Sequence, residues 1–421
     1  MKSLLSPYKI KKLTLAIIHS IAFYPAIIAV GFFLLAIGAM YAEGQFGLHE
    51  AVEEVPYLAV GNPDTARSML TTLAGGVISL MVFTFTMVMV VLNLTSTNYS
   101  PRVLPGLISS KPHQVVLGLF LGTITYTITV LSNIDSDYFE FVVPKLALVI
   151  NAGAGAVSFI AFIYFIHHIS RSIQVSNILL ELHHKTLKVL RHEKENGQYI
   201  SPDLLPDLGE EHVVHMKDSG FFHTLSDKNL IKLAKKHDVT IRLLVTKGMH
   251  TLKGSPFLKV NKPLDDEAKD AILSCVVFRN EELISQNHLD GIKQVTEIAL
   301  KALSPGINDP GTALMALDYL ADIYIHLIPL EGHKTVMQDG HFFIIYDETP
   351  VCEAIKASLM EILIYGKGDA MVMYKMKKHL ETLSARYTEG KIGDCFREMD
   401  RIVDSEINKG GITPYIRPFL A

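Results

Sequence analysis

Residues Met69–Leu94 read MLTTLAGGVISLMVFTFTMVMVVLNL, apolar along its length and free of Asp, Glu, Lys and Arg. About 20 such residues cross the hydrocarbon core of a bilayer as a helix, so this stretch predicts a membrane span. Three further runs, near Leu15–Met40, Val115–Leu131 and Phe141–His167, satisfy the same criterion. Lys9, Lys11 and Lys12 ahead of the first run give it the look of a signal peptide. That run is longer than a signal core and no small-residue cleavage site closes it, so it too is read as a span.

The composition agrees. Of 421 residues, 49% are hydrophobic and 19% charged, against about 25% charged in soluble chains, and the mean hydropathy is +0.28. A purely soluble, disordered or fibrous protein is excluded. A net charge of -4 gives no reason to expect nucleic acid as a partner. The three cysteines, Cys275, Cys352 and Cys395, lie in the C-terminal half without CxxC spacing. They fit a reducing compartment with no disulfide framework.

The loops set the orientation. Lys2, Lys9, Lys11 and Lys12 precede the first span, and Glu43, Glu50, Glu53, Glu54 and Asp64 follow it. Arg102 and Lys111 follow the second, Asp135, Asp137 and Glu140 follow the third against a single Lys145, and Arg171, Lys185, Lys188, Arg191 and Lys194 follow the fourth. Positive residues stay on the cytoplasmic side, so both termini and Arg102 are expected in the cytoplasm. Pro101 ends the second helix and places Arg102 at the membrane interface.

Apart from Lys145, counted with the third loop, the spans carry no fixed charge, which weighs against a carboxylate-driven pump. They carry hydroxyls and small residues instead. Thr72, Ser79, Thr86 and Asn93 recur every seven residues, nearly two helical turns, and so share one face. Gly118 and Gly122 have GxxxG spacing, with Thr125 and Thr129 beyond; Asn151, Gly153, Gly155 and Ser158 mark the fourth span. Two readings stand: the stripe packs helices together, or it lines a wet pore. Clustered His167, His168, His183 and His184 are read as interfacial or solvated, because no Cys or carboxylate spacing completes a metal site.

The expected architecture is a four-helix transmembrane domain over 1–168 and a helical connector over 169–196, followed by a cytoplasmic α+β domain. In the latter, a small β-rich module over 197–263 has strands near His212–Met216, Gly220–His223, Val239–Val245 and Phe257–Val260, and one helix, Lys228–Lys236, capped by Ser226 or Asp227. Residues 264–421 read as mainly helical, with one short strand at Phe342–Tyr346. A helix beginning near His288 stops at Ser304-Pro305-Gly306, and the next starts with Asp309 as N-cap and Pro310 at the first position. Ser304, Asn308, Asp309 and Thr312 make this the densest polar turn of the half. It is either a ligand site at a helix N-terminus or simply a stop followed by a cap.

The run Ile298-Ala299-Leu300-Lys301-Ala302-Leu303-Ser304-Pro305-Gly306-Ile307-Asn308-Asp309-Pro310-Gly311-Thr312-Ala313 resembles the signature of an uncharacterised bacterial family of predicted integral-membrane proteins, domain of unknown function 2254. Ser100-Pro101-Arg102, and Leu117-Gly118-Leu119-Phe120-Leu121-Gly122 with Tyr126, resemble the same family. The chain departs from it at Glu282-Leu283 and Gln286-Asn287, where the family carries an Arg-Thr and a Gln-Asp pair. The resemblance implies a multi-pass protein of the bacterial inner membrane and no particular activity.

No HExxH, GxSxG, phosphate loop or dinucleotide fingerprint appears, so an enzyme reading has no positive support. No metal and no cofactor is expected. The expected partners are the lipid bilayer, further copies of the chain, and a small ion or ligand that the sequence does not identify. The reading is an oligomeric channel or passive pore with a cytoplasmic gating or assembly domain. The alternative is a membrane-anchored sensor or scaffold whose cytoplasmic domain binds a ligand or partner.

Overall fold

The computed structural model describes residues 22–46, 60–98, 111–135, 143–172, 174–207, 209–279, 287–338 and 340–409. Lys2, Lys9, Lys11, Lys12, Glu53, Arg102, Asp137 and Glu282 lie outside them. The chain divides into two units, Met1–Gln174 and Val175–Ala421.

The first unit holds α1 (Phe23–Phe46), α2 (Pro63–Asn98), α3 (Lys111–Leu131) and α4 (Lys145–Ser172). Asn62 starts α2, its side chain accepting the Asp64 and Thr65 amides at 2.8 and 3.2 Å, with Pro63 at the first position. The start of α4 is held from outside its own sequence. Glu43 Oε1 accepts the Lys145 amide at 2.8 Å and Oε2 the Leu146 amide at 3.0 Å. Glu43 is 2% exposed and stands inside α1, where the sequence reading counts it with the acids of the first loop.

Gly118 and Gly122 face α1. A Cβ at Gly118 would lie 2.6 Å from Ile28 Cδ1 and 3.0 Å from Pro25 Cα, and one at Gly122 would lie 2.8 Å from the Phe32 ring. Only glycine admits so close an approach. Gly155 meets Leu73 of α2 in the same way, at 2.6 Å.

Five helices are long and apolar enough to cross a membrane, where the sequence reading counts four. They are Phe23–Gln45, Pro63–Leu94, Pro112–Leu131 and Lys145–Ser172 in the first unit, and Pro310–Leu330 in the second. The fifth owes its hydropathy to a buried stripe (Ala313, Ala316, Leu317, Leu320, Ile323 and Leu327) that packs inside its own unit.

The expected continuous connector is interrupted: α4 ends at Ser172 and α5 (Val175–Asn196) begins anew. The strands are β1 (Gln198–Ile200), β2 (His212–His215), β3 (Gly220–Leu225), β4 (Ile241–Leu243), β5 (His250–Thr251), β6 (Pro256–Val260), β7 (Val276–Arg279), β8 (His333–Gln338) and β9 (His341–Tyr346). They form a six-stranded sheet in the order β1-β8-β9-β4-β6-β2 and a three-stranded sheet β5-β3-β7. Neighbours pair antiparallel except β4 and β9, which run parallel. The larger sheet takes β8 and β9 from beyond residue 264 and inserts them between β1 and β4. The expected β-rich and helical segments therefore share one sheet, and the single expected late strand is one of three.

Helices α6 (Asp227–His237) and α7 (Asp266–Ser274) accompany the strands. The helical layer is α8 (His288–Ala302), α9 (Pro310–Leu327), α10 (Val351–Gly366), α11 (Ala370–Arg386) and α12 (Gly390–Lys409). Helix α8 packs on α5 so closely that a Cβ at Gly291 would fall 1.9 Å from Thr186 Oγ1. Cys352 of α10 and Cys395 of α12 are joined as a disulfide, Cα to Cα 5.8 Å, against the expectation of three free thiols. Their separation of 43 residues carries no local signal; packing of α10 on α12 brings them together.

Candidate functional site

Helix α2 has two opposed faces. Leu70, Val77, Thr84 and Val91, again seven residues apart, are buried against the other helices of the unit. Thr72, Ser79, Thr86 and Asn93 lie two positions further on, about 200° around the helix, and all are exposed. The polar stripe therefore lies on the exposed side of α2, opposite the face buried in the unit. Its hydroxyls are not idle: Thr72, Ser79 and Thr86 donate to the carbonyls of Ser68, Gly75 and Val82 at 2.8, 2.8 and 2.9 Å. Such back-bonding leaves the hydroxyl oxygen facing outward as an acceptor. Gly75 and Gly76 beside the stripe have nothing within 4 Å of a built Cβ.

The hydroxyls that do pack between helices of the unit are others. Thr123 Oγ1 and Ser158 Oγ share a bond of 3.1 Å, and Thr127 Oγ1 sits 2.9 Å from Asn151 Oδ1, all of them buried. These two rungs tie α3 to α4 inside the bundle, where polar groups find no water.

The signature turn is closed on itself. Ser304 Oγ donates to the Lys301 carbonyl at 2.6 Å, and the Asn308 amide to that of Ser304 at 2.9 Å. Asp309 caps α9, its carboxylate accepting the Thr312 amide at 3.2 Å and hydroxyl at 2.6 Å. Asn308 adopts φ of 50°, a left-handed conformation that Asn tolerates. Stop and cap account for the Ser304, Asp309 and Thr312 side chains and for the Asn308 backbone amide. Asp309→Ala is accordingly expected to lower the stability of the full chain by about 1 kcal/mol, read as a lower melting temperature in detergent. Unchanged melting with lost activity would make the turn a binding site instead.

A second polar cluster escapes the sequence reading altogether. His288, the first residue of α8, donates through Nδ1 to Glu193 Oε2 at the end of α5, at 2.6 Å, with both side chains largely buried. Lys334 of β8 and Lys247 after β4 act on Glu193 and on Glu348 after β9, and both carboxylates act on Tyr199 of β1. The Asn287 amide donates to the Lys247 carbonyl and ties that loop to the start of α8. Burial pushes the Glu348 carboxyl up; His288 and the two lysines oppose it, and Glu193 reinforces it. Burial also works to raise Glu193, but the His288 bond and the surrounding cations hold it below the ordinary carboxylate range. Sequence shows only a broken helix at Glu193 and scattered charges at strand ends. Among the described residues no group of three or more His, Cys, Asp or Glu side chains is arranged to hold a metal.

These shifts have opposite consequences. Glu348 holds its proton more tightly folded than unfolded, so its stabilising contribution is lost as pH rises through its raised folded value. Glu193 stabilises above its ordinary value and loses that contribution as pH falls through its lowered one. Glu348→Gln, fixed in the neutral form, is expected to remove that decline with rising pH. Melting curves of the full chain between about pH 5 and pH 9 read it, and parallel curves for variant and parent would refute it.

A family model described as a predicted membrane protein (DUF2254) matches residues 18–382. An uncharacterized protein of Mycobacterium bovis and one of Mycobacterium tuberculosis are each 27% identical over 283 residues, covering 62% of this chain and 52% of the relative. The chain thus spans about half the length of the curated relatives it matches. No solved structure matches it.

Proposed function

We propose, from the premise that this chain belongs to the DUF2254 family of predicted membrane proteins, that it forms an oligomeric pore whose wall is α2 and whose second unit is a cytoplasmic gating or assembly domain. One observation carries the reading. The helix with the most regular polar stripe turns that stripe away from its own bundle, with Ala66, Leu70, Val77, Thr84 and Val91 filling the inner face. A lipid environment gives nothing to the outward acceptor oxygens, whereas water or a second copy of the chain does. Stacked hydroxyl rings without fixed charge make a weakly selective path, and apolar rings near Met69–Leu73 or Val88–Leu92 supply constrictions suited to gating by dewetting.

In this reading four helices span the bacterial inner membrane and α9 is a core helix of the second unit, its apolar face already occupied by α5, α8 and α11. Both termini lie in the cytoplasm because basic and acidic loops alternate. Cysteines placed at Glu53 and Arg102 test this: an impermeant reagent applied to intact cells should label the first and spare the second. Labelling at Arg102 would invert the topology.

The pore itself is tested with purified full-length protein in proteoliposomes, by ion flux and planar-bilayer recording across pH and membrane tension. A monomer in mild detergent, or a silent bilayer under every condition, would sink it. The buried Glu193–His288–Glu348 cluster supports a second reading, a membrane-anchored sensor of its chemical surroundings, which predicts pH-dependent stability without conductance.

A further inference from the structure

We infer that Cys352 and Cys395 are a redox-responsive pair that closes into a disulfide when the surrounding thiol pool turns oxidising, pinning α12 to the first turn of α10. The geometry is specific to these two residues. Their Cα atoms stand 5.8 Å apart, inside the range a disulfide requires, while Cys275 is buried and free. Cys395 is 2% exposed and lies in the apolar stripe of α12 with Ile392, Phe396, Met399, Val403 and Ile407. Cys352 is partly exposed at the edge of α10 and is the thiol that a small oxidant reaches first. Without the bond α12 is not loose: Lys377 of α11 still holds Asp400 and Asp404 at 2.8 and 2.9 Å. Closing the bond therefore adds a covalent constraint to a helix already in place.

The oxidant is a low-molecular-weight disulfide of the glutathione class. The Cys352 thiolate attacks one of its sulfurs, forming a mixed disulfide and expelling one small thiolate. The Cys395 thiolate then attacks the Cys352 sulfur, forms the protein disulfide and expels the second. Two electrons pass from the cysteines to the small disulfide, and the two cysteine protons end on the released thiols. Reversibility rests on the cytoplasmic placement proposed above, since a cytoplasm keeps such pairs reduced at rest.

Cells producing the full chain are quenched in acid, the protein is unfolded, free thiols are alkylated with N-ethylmaleimide, and the intact mass is read. The expected result is three adducts in resting cells, one (on Cys275) after permeabilised cells meet oxidised glutathione, and three again after dithiothreitol. Oxidation should also raise the melting temperature of the purified protein, and Cys352→Ser should abolish that rise while leaving the reduced melting temperature near the parent's. A single adduct in resting cells would make the bond permanent and overturn the inference; so would three adducts after oxidant. Placement is scored separately with Asp266→Cys, at a position 97% exposed. Labelling there by an impermeant maleimide in intact cells would remove the cytoplasmic reading, whereas a shielded Asp266→Cys beside a permanent bond would remove the redox inference alone.

Discussion

Ser79→Leu is expected to reduce flux through the reconstituted protein on the order of tenfold or more, with expression and oligomer size unchanged. Ser79 sits midway along the exposed stripe of α2, near Gly75, and is itself exposed. Leucine there removes an acceptor from the proposed wall and adds a branched apolar group where Gly75 and Gly76 leave the path widest. Thr86→Leu should act likewise one ring further in. Both positions are exposed in the single chain, so the fold is expected to tolerate the substitutions. Ser79→Cys completes the test: a small water-soluble thiol reagent should modify it while the protein conducts. A protected cysteine in a conducting protein would take α2 out of the pore, and failed assembly of the Leu variants would make the stripe an interface between copies.

Glu43→Leu is expected to be among the most destabilising single substitutions in the first unit. The Glu43 carboxylate accepts the first two amides of α4 at 2.8 and 3.0 Å while itself only 2% exposed. Leucine would strand both amides without partners, at about 1–3 kcal/mol for each buried donor left unmade. Glu43→Gln keeps one acceptor oxygen and should fall between parent and Leu. Melting of the detergent-solubilised full chain orders the three variants; equal melting temperatures for Glu43→Leu and parent would show that water replaces the carboxylate at that helix end.

Much of this molecule is legible locally. Hydropathy over 20-residue windows marks the apolar helices of the first unit, because crossing hydrocarbon demands an unbroken apolar run whatever surrounds it. The same measure cannot separate a span from a core helix, and α9 passes it although its apolar stripe is buried within its own unit. The Pro305-Gly306 stop and the Asp309-Pro310 start are read correctly as a helix junction, since capping is decided within three or four residues. The positions Gly118 and Gly122 are visible as a motif, though which helix they meet is not.

What sequence by itself determined was therefore whatever depends on near neighbours: the apolar runs, the helix ends and the stripe of hydroxyls on α2. Tertiary structure alone decided which way that stripe faces, because its direction follows from which opposite face the partner helices fill. It also decided that β8 and β9 complete a sheet begun before residue 264, that Glu193 meets His288, and that Cys352 meets Cys395. Each of these joins residues from distant segments, and the energy that favours them exists only once the chain between has closed and excluded water around them.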